Sequence, residues 1–189
     1  LKILSVLKKD DVSAVSILSP RSLSLKLRLK SGMSAVFKPV RKNDTRAIYE
    51  VAAYRIAKLL NIERVPASVM REFPIKLLVD RLSLDDKESA NTFRDAVLIN
   101  ENNTVFGAMI EWIKDVDHDG LKKLGGMSFL NRLLKSKSPA DIKHPIAKSA
   151  SSMVVFDHLI GNWDRYSGGN FFVSPNAQNL ILLDHNGGF

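Results

Sequence analysis

Residues 23–29 read Leu-Ser-Leu-Lys-Leu-Arg-Leu, a strict alternation that sets four leucines on one side of an extended chain and polar groups on the other. A period of two cannot wrap into a helix. It needs an antiparallel sheet with one face on a core and one face in water. The preceding Val12-Ser13-Ala14-Val15-Ser16-Ile17-Leu18 carries the same pattern more weakly, so the two runs read as paired strands joined through Ser19-Pro20-Arg21-Ser22. That turn offers hydroxyls, backbone N–H groups and a guanidinium to an anion, but lacks the glycines of a phosphate loop and serves equally as a plain hairpin connection. Lys30-Ser31-Gly32-Met33 turns the chain again into a third strand, Ala35-Val36-Phe37-Lys38-Pro39. Pro39 has no N–H to donate, so the strand stops there or lies at an edge.

A helix follows from about Arg46 to Asn61, capped by Thr45, with Ile48, Val51, Ala52, Ile56, Leu59 and Leu60 at helical spacing. Glu50 falls in its first turns. A strand lysine usually points to water, but a sheet followed by a helix with an early acid allows Lys38 and Glu50 to pair, which would fix an ammonium for nucleotide phosphates. The alternative is an exposed Glu with ordinary helix-face pairing. Arg64 to Met70 resumes an extended course, Ile75 to Val79 reads as a further strand, and the polar stretch from Ser83 to Asn103 as a loop-rich insertion or short surface helix. Val105 to Ile113 is an apolar run, either a buried strand or a strand feeding a connector whose backbone recognises a base edge. Helices are expected from Gly120 to about Lys137 and from Pro145 or Ile146 to Leu159. Along them Arg132, Lys135, Lys137, Lys143 and Lys148 outnumber Asp141, as a solvated face or a docking surface for an anionic substrate. Met153, Phe156 and Ile160 are spaced for packing.

The last third ends two apolar runs in polar groups. Asp164 and Asn170 lie in a Gly-rich loop, and Asp184 directly follows a second short strand. Oxygen donors so placed suit a magnesium ion that shares substrate phosphates, and a loop Asp can orient an attacking hydroxyl. A β-hairpin with polar turns accounts for the same glycines without chemistry.

Several classes drop out. No run approaches the roughly 18 consecutive apolar residues needed to span a bilayer. The four histidines show no zinc-ligand spacing, and zero cysteines exclude disulfides and thiolate metal sites. The missing cysteines favour a reducing compartment such as the cytoplasm, and a secretory location stays open. Asn43-Asp44-Thr45 and Asn102-Asn103-Thr104 match the glycosylation acceptor pattern. A net charge of +8 favours an anionic partner, and peripheral membrane contact remains open, but no aromatic-basic or zinc-finger motif supports nucleic acid.

Taken in order, Phe37-Lys38-Pro39, the helix with Glu50-Val51-Ala52-Ala53-Tyr54-Arg55, Arg64-Val65-Pro66, Ile160-Gly161-Asn162-Trp163-Asp164-Arg165 and Leu183-Asp184-His185-Asn186-Gly187 resemble the atypical kinase superfamily. Its members include phosphatidylinositol 3- and 4-kinases, secretory-pathway casein kinases and HipA-type bacterial kinases. The resemblance implies an α+β, two-lobed protein-kinase-like fold within a single domain of residues 1–189. A small antiparallel-sheet N-lobe with one key helix would occupy about 1–111. A mainly helical partial C-lobe would occupy about 112–189, cut short after the metal motif. It further implies ATP as the phosphate donor and Mg²⁺ or Mn²⁺ as the ion. Lys38 would contact the phosphates and Glu50 would hold it, while Asp164 would orient or deprotonate the acceptor hydroxyl. Asn170 and Asp184 would hold the metal, Ser19 and Ser22 would cover the phosphates, and Met109, Glu111 and Ile113 would line the adenine side. Two positions depart from the pattern. Tyr166 stands where many relatives have His, and Asn170 follows Asp164 by one position more than in the phosphoinositide kinases. The expected function is therefore phosphoryl transfer to a hydroxyl of a protein, lipid or small molecule, with a nucleotide-binding pseudokinase as the alternative and a basic nucleic-acid-binding domain behind both.

Overall fold

The structure is a computed structural model and describes residues 2–19, 23–84, 86–114, 116, 119–166, 169–174, 176 and 178–189. It divides into two compact units, one of Leu1–Ala52 with Ala67–Trp112 and one of Ala53–Pro66 with Ile113–Phe189.

The first unit is built on the predicted alternation. Strands β1 (Val12–Ser19), β2 (Ser24–Leu29), β3 (Ser34–Pro39), β4 (Ser68–Pro74) and β5 (Thr104–Glu111) form one antiparallel sheet in the order β1-β2-β3-β5-β4. Leu25 faces Phe37 and Leu27 faces Ala35 across the β2–β3 ladder, all four fully buried. Each leucine so placed contributes about 1.5–3 kcal/mol of hydrophobic stabilisation. Phe37 meets Phe73 edge to face at 5.1 Å, while on the other side of β2 the Lys26 ammonium lies 4.0 Å from the Trp112 ring. Helix α1 (Lys2–Lys9) packs on β4 and β5 through the buried Leu7. Pro39 does end its strand, but β3 is internal rather than an edge, lying between β2 and β5.

Helix α2 (Ala47–Leu59) starts near the expected position, where the Asp44 carboxylate accepts the Arg46 N–H at 3.0 Å. One expectation between β4 and β5 needs correction. Residues 75–79 are not a strand but open helix α3 (Ile75–Ser83), with Pro74 at its N-cap. Leu78 and Leu82 recur four apart and bury completely, a period that the five apolar-rich residues were too short to reveal. The polar stretch contains α4 (Lys87–Ala96), begun by Asp86, whose carboxylate accepts the Ser89 N–H at 2.9 Å, and anchored by Ala90 and Phe93.

In the second unit the expected long helix breaks into α5 (Gly120–Lys123) and α6 (Gly126–Lys135), because Gly125 and Gly126 take φ of +106° and +68°. After α7 (Pro139–Ile142), α8 (Pro145–Ile160) runs with Pro145 in its first turn and stops at Gly161, φ +67°. Strands β6 (Phe171–Val173) and β7 (Leu180–Leu182) pair as a short antiparallel hairpin. Met153, Phe156 and Ile160 of α8 join Leu130, Leu133, Ala53, Ala57, Leu180 and Leu182 in one core, so their spacing does serve packing.

Candidate active site

Within the first unit, Lys38 on β3 and Glu50 in the first turn of α2 meet at 2.5 Å. The Glu50 side chain is only 3% exposed and that of Lys38 15%, which separates the pair from ordinary surface ion pairs. Backbone packing fixes where the lysine emerges. Gly107 on β5 lies against β3 so closely that an added Cβ would strike the Lys38 carbonyl oxygen and come within 2.7 Å of the Phe37 ring.

The acidic groups of the second unit are organised by Arg165, which is wholly buried. Its Nε and Nη2 grip the Asp157 carboxylate of α8 at 2.9 and 2.8 Å, a bidentate fork. Its Nη1 donates to the carbonyls of Asn170 and, at 2.5 Å, Leu183. One guanidinium therefore ties the end of α8 to both strands of the hairpin at the residues where the polar groups leave them. Asn162 extends the tie, donating from Nδ2 to Asp157 at 3.2 Å and accepting the Asp164 N–H through Oδ1 at 3.2 Å. The Asn170 amide nitrogen donates to the Asp164 carbonyl at 2.7 Å and lies 3.3 Å from its carboxylate. Asp184 takes φ of +49°, a left-handed turn that Asp tolerates and that ends the line of β7. Gly187 then returns the chain onto Asp164, where a Cβ would sit 2.7 Å from the Asp164 Cβ.

Asp164, Asn170 and Asp184 thus share one framework, and their donors are all hard oxygens. Among the described residues no group of three or more His, Cys, Asp or Glu side chains comes together as a metal cage. A small set of carboxylate and amide oxygens completed by phosphates and water is instead the pattern of Mg²⁺ or Mn²⁺ sites, so these residues fit such an ion.

Of the remaining expected residues, Met109 and Glu111 lie on β5, the strand paired with that of Lys38. Ser19 ends β1, paired with Ser24, and Ser22 lies outside the described residues. Met109 is fully buried in the sheet core, and Glu111 closes β5 against Ala67 through a backbone bond of 2.8 Å. Ile113 is half-buried at the start of the second unit's main segment. Arg165, wholly buried and paired with Asp157, organises this framework. Asp157 escaped the sequence reading altogether. Its one signal was an acid set in an otherwise apolar helical run, eight residues before an Arg. Burial pushes the Tyr166 phenol above its usual value near 10, with the Asp157 charge adding to the effect, so Tyr166 stays protonated at neutral pH. Beside the loop lies a cavity of about 260 Å³ rimmed by Trp163, Tyr166 and His158.

No protein-family model and no curated protein matches the sequence. Solved structures do match. The Golgi casein kinase, in a crystal structure with Mn and ADP bound, aligns over all of this chain at a TM-score of 0.69 and 15% identity. The fold is kinase-like. A second structure of the Golgi casein kinase gives 0.67 at 16% identity, and hydra Fam20, solved with sugar, gives 0.64 at 18% over the whole of this chain. This kinase-like fold spans 57% of the Golgi enzyme's length and 66% of the hydra protein's.

Proposed function

We propose that the chain carries the nucleotide- and metal-binding part of an ATP-dependent phosphotransferase acting on a hydroxyl of a protein, lipid or small molecule. The observation that carries this reading is the buried Arg165 clamp, which holds the loop of Asp164 and the strand ends of Asn170 and Asp184 on one support. Phosphoryl transfer asks chiefly for positioning and charge neutralisation, and rigid support of three oxygen-bearing side chains answers that demand. In this reading Lys38, fixed by Glu50, takes the donor phosphates. Asp184 and Asn170 hold Mg²⁺ or Mn²⁺, which when bound neutralises phosphate charge, and Asp164 orients the acceptor hydroxyl and accepts its proton. Ser19 and Ser22 cover the phosphates, and the segment of Met109, Glu111 and Ile113 faces the base. The unit of Leu1–Ala52 with Ala67–Trp112 is the corresponding N-lobe and that of Ala53–Pro66 with Ile113–Phe189 the C-lobe. No helix among the described residues is long and apolar enough to cross a membrane.

The test is thermal unfolding with ATP or ADP and Mn²⁺. A nucleotide at 100 times its Kd adds about 2.7 kcal/mol, which for a chain of this size raises Tm by about 5–10 °C. Asp184→Ala abolishes the metal-dependent part of that shift. A folded chain that gains no stability from any nucleotide with either ion refutes the proposal. Nucleotide binding without turnover is favoured by Tyr166 in place of the usual His, and Asp164-dependent transfer of labelled phosphate excludes it.

A further inference from the structure

The charge of this protein is not spread evenly. Residues 120–148 hold seven of its basic side chains and a single acid, a net of +6 out of the chain's +8. These residues form α5, α6, α7 and the start of α8, which pack against one another within the second unit. The surface is continuous across the three later helices. Arg132 of α6 reaches Asp141 of α7 at 3.4 Å, and Phe129 of α6 meets His144, at the N-cap of α8, edge to face at 5.1 Å. Helix α6 turns Phe129, Leu130 and Leu133 inward, leaving Arg132 and Lys135 on its outer side. Lys135, Lys137, Lys143 and Lys148 are all exposed, and among the described residues none of them pairs with a carboxylate. The one acid is taken by Arg132. In the midst of these cations Ile142 stands 61% exposed.

We infer that this face, centred on Lys135, Lys137, Ile142, Lys143 and Lys148, docks the protein on an anionic phospholipid bilayer. The chemistry distinguishes this partner from others. The unpaired cations are all lysines, point charges on flexible stems that suit a diffuse field, whereas bidentate recognition of single phosphates or carboxylates uses arginine. The face presents no aromatic side chain for stacking on bases. A protruding aliphatic residue ringed by lysines suits the headgroup boundary, where apolar insertion and attraction to acidic lipids act together.

The experiment is co-sedimentation of the 189-residue chain with vesicles of phosphatidylcholine alone or with 30% phosphatidylserine, at low and physiological salt. Binding is expected only with phosphatidylserine and weakens as salt rises. At about 1 kcal/mol per lysine near the surface, K135Q/K137Q/K143Q weakens binding by roughly 100-fold. Ile142→Ser weakens it further at constant charge. The control K2Q/K8Q/K9Q removes three charges from α1 and leaves binding within about three-fold. Circular dichroism melts confirm that each variant folds. Absence of binding to acidic vesicles at low salt overturns the inference. So does an equal loss in the α1 control, which means net charge alone, or a preference for DNA or an acidic peptide over vesicles in competition.

Discussion

Replacing Arg165 by Met tests the support on which the candidate site rests. Methionine fills a comparable volume without charge, so packing is largely kept and the polar ties are lost. The Asn170 carbonyl keeps a donor, the Leu183 N–H at 2.8 Å, and one Asp157 oxygen keeps Asn162 at 3.2 Å. What remains is a carboxylate inside the protein without its counter-charge. Removing one partner of a buried pair costs about 3–5 kcal/mol. We therefore expect a loss of about 3–5 kcal/mol and a fall in Tm of about 6–20 °C. Urea unfolding followed by Trp163 fluorescence, in a Trp112→Phe background, measures it in the unit that holds Arg165. The decisive comparison is Arg165→Met/Asp157→Leu, which removes the stranded charge and recovers at least half of the loss. A single variant within 1 kcal/mol of the parent, or a double variant no more stable than the single, would refute the assignment of Arg165 as the organiser.

Gly187→Ala drives a methyl group to within 2.8 Å of the Asn162 Oδ1 and closer still to Asp164, so it should cost about 1–3 kcal/mol; it should also weaken metal-dependent nucleotide binding in calorimetric titration. Asp44 is held well below the usual carboxylate range, first by its hydrogen bond from Arg46 and also by Arg41. Its stabilisation is complete above about pH 4 and declines as pH falls toward the lower folded value, so Asp44→Asn is less stable than the parent at pH 7 and the gap closes in acid melts. Tyr166→Phe leaves the rate of labelled phosphate transfer within about three-fold and its pH profile between 6 and 9 unchanged, since the phenol is protonated throughout; a lost limb in that profile would assign Tyr166 a proton-transfer role.

Much of the first unit was legible because strands with one wet face write their period directly. Leu25, Leu27 and Leu29 could bury only on one side, and the next strand allowed Lys38 to meet a helix bearing Glu50, with exposure of both to water as the alternative. Residues 75–79 were misread because five residues contain too little of either period, and the helix became evident only with Leu82. The three acceptor-rich positions of the second unit were visible as polar groups at the ends of apolar runs. Their support was not. Asp157 and Arg165 meet only after α8 ends and the chain reverses, a contact that residue spacing does not encode. The Gly125–Gly126 break was visible as two adjacent glycines, but helical periodicity on both sides concealed the change of direction.

Gly107 extends the constraint on this chemistry to a position without a functional group. Because its backbone presses on the Lys38 carbonyl, any larger residue must push apart the strands that aim the ammonium. In a saturation-mutagenesis experiment it should be as intolerant as the charged residues, alanine included, though it has no side chain to offer a ligand. Variants there should lose nucleotide response while the Asp157–Arg165 clamp in the other unit keeps its stability.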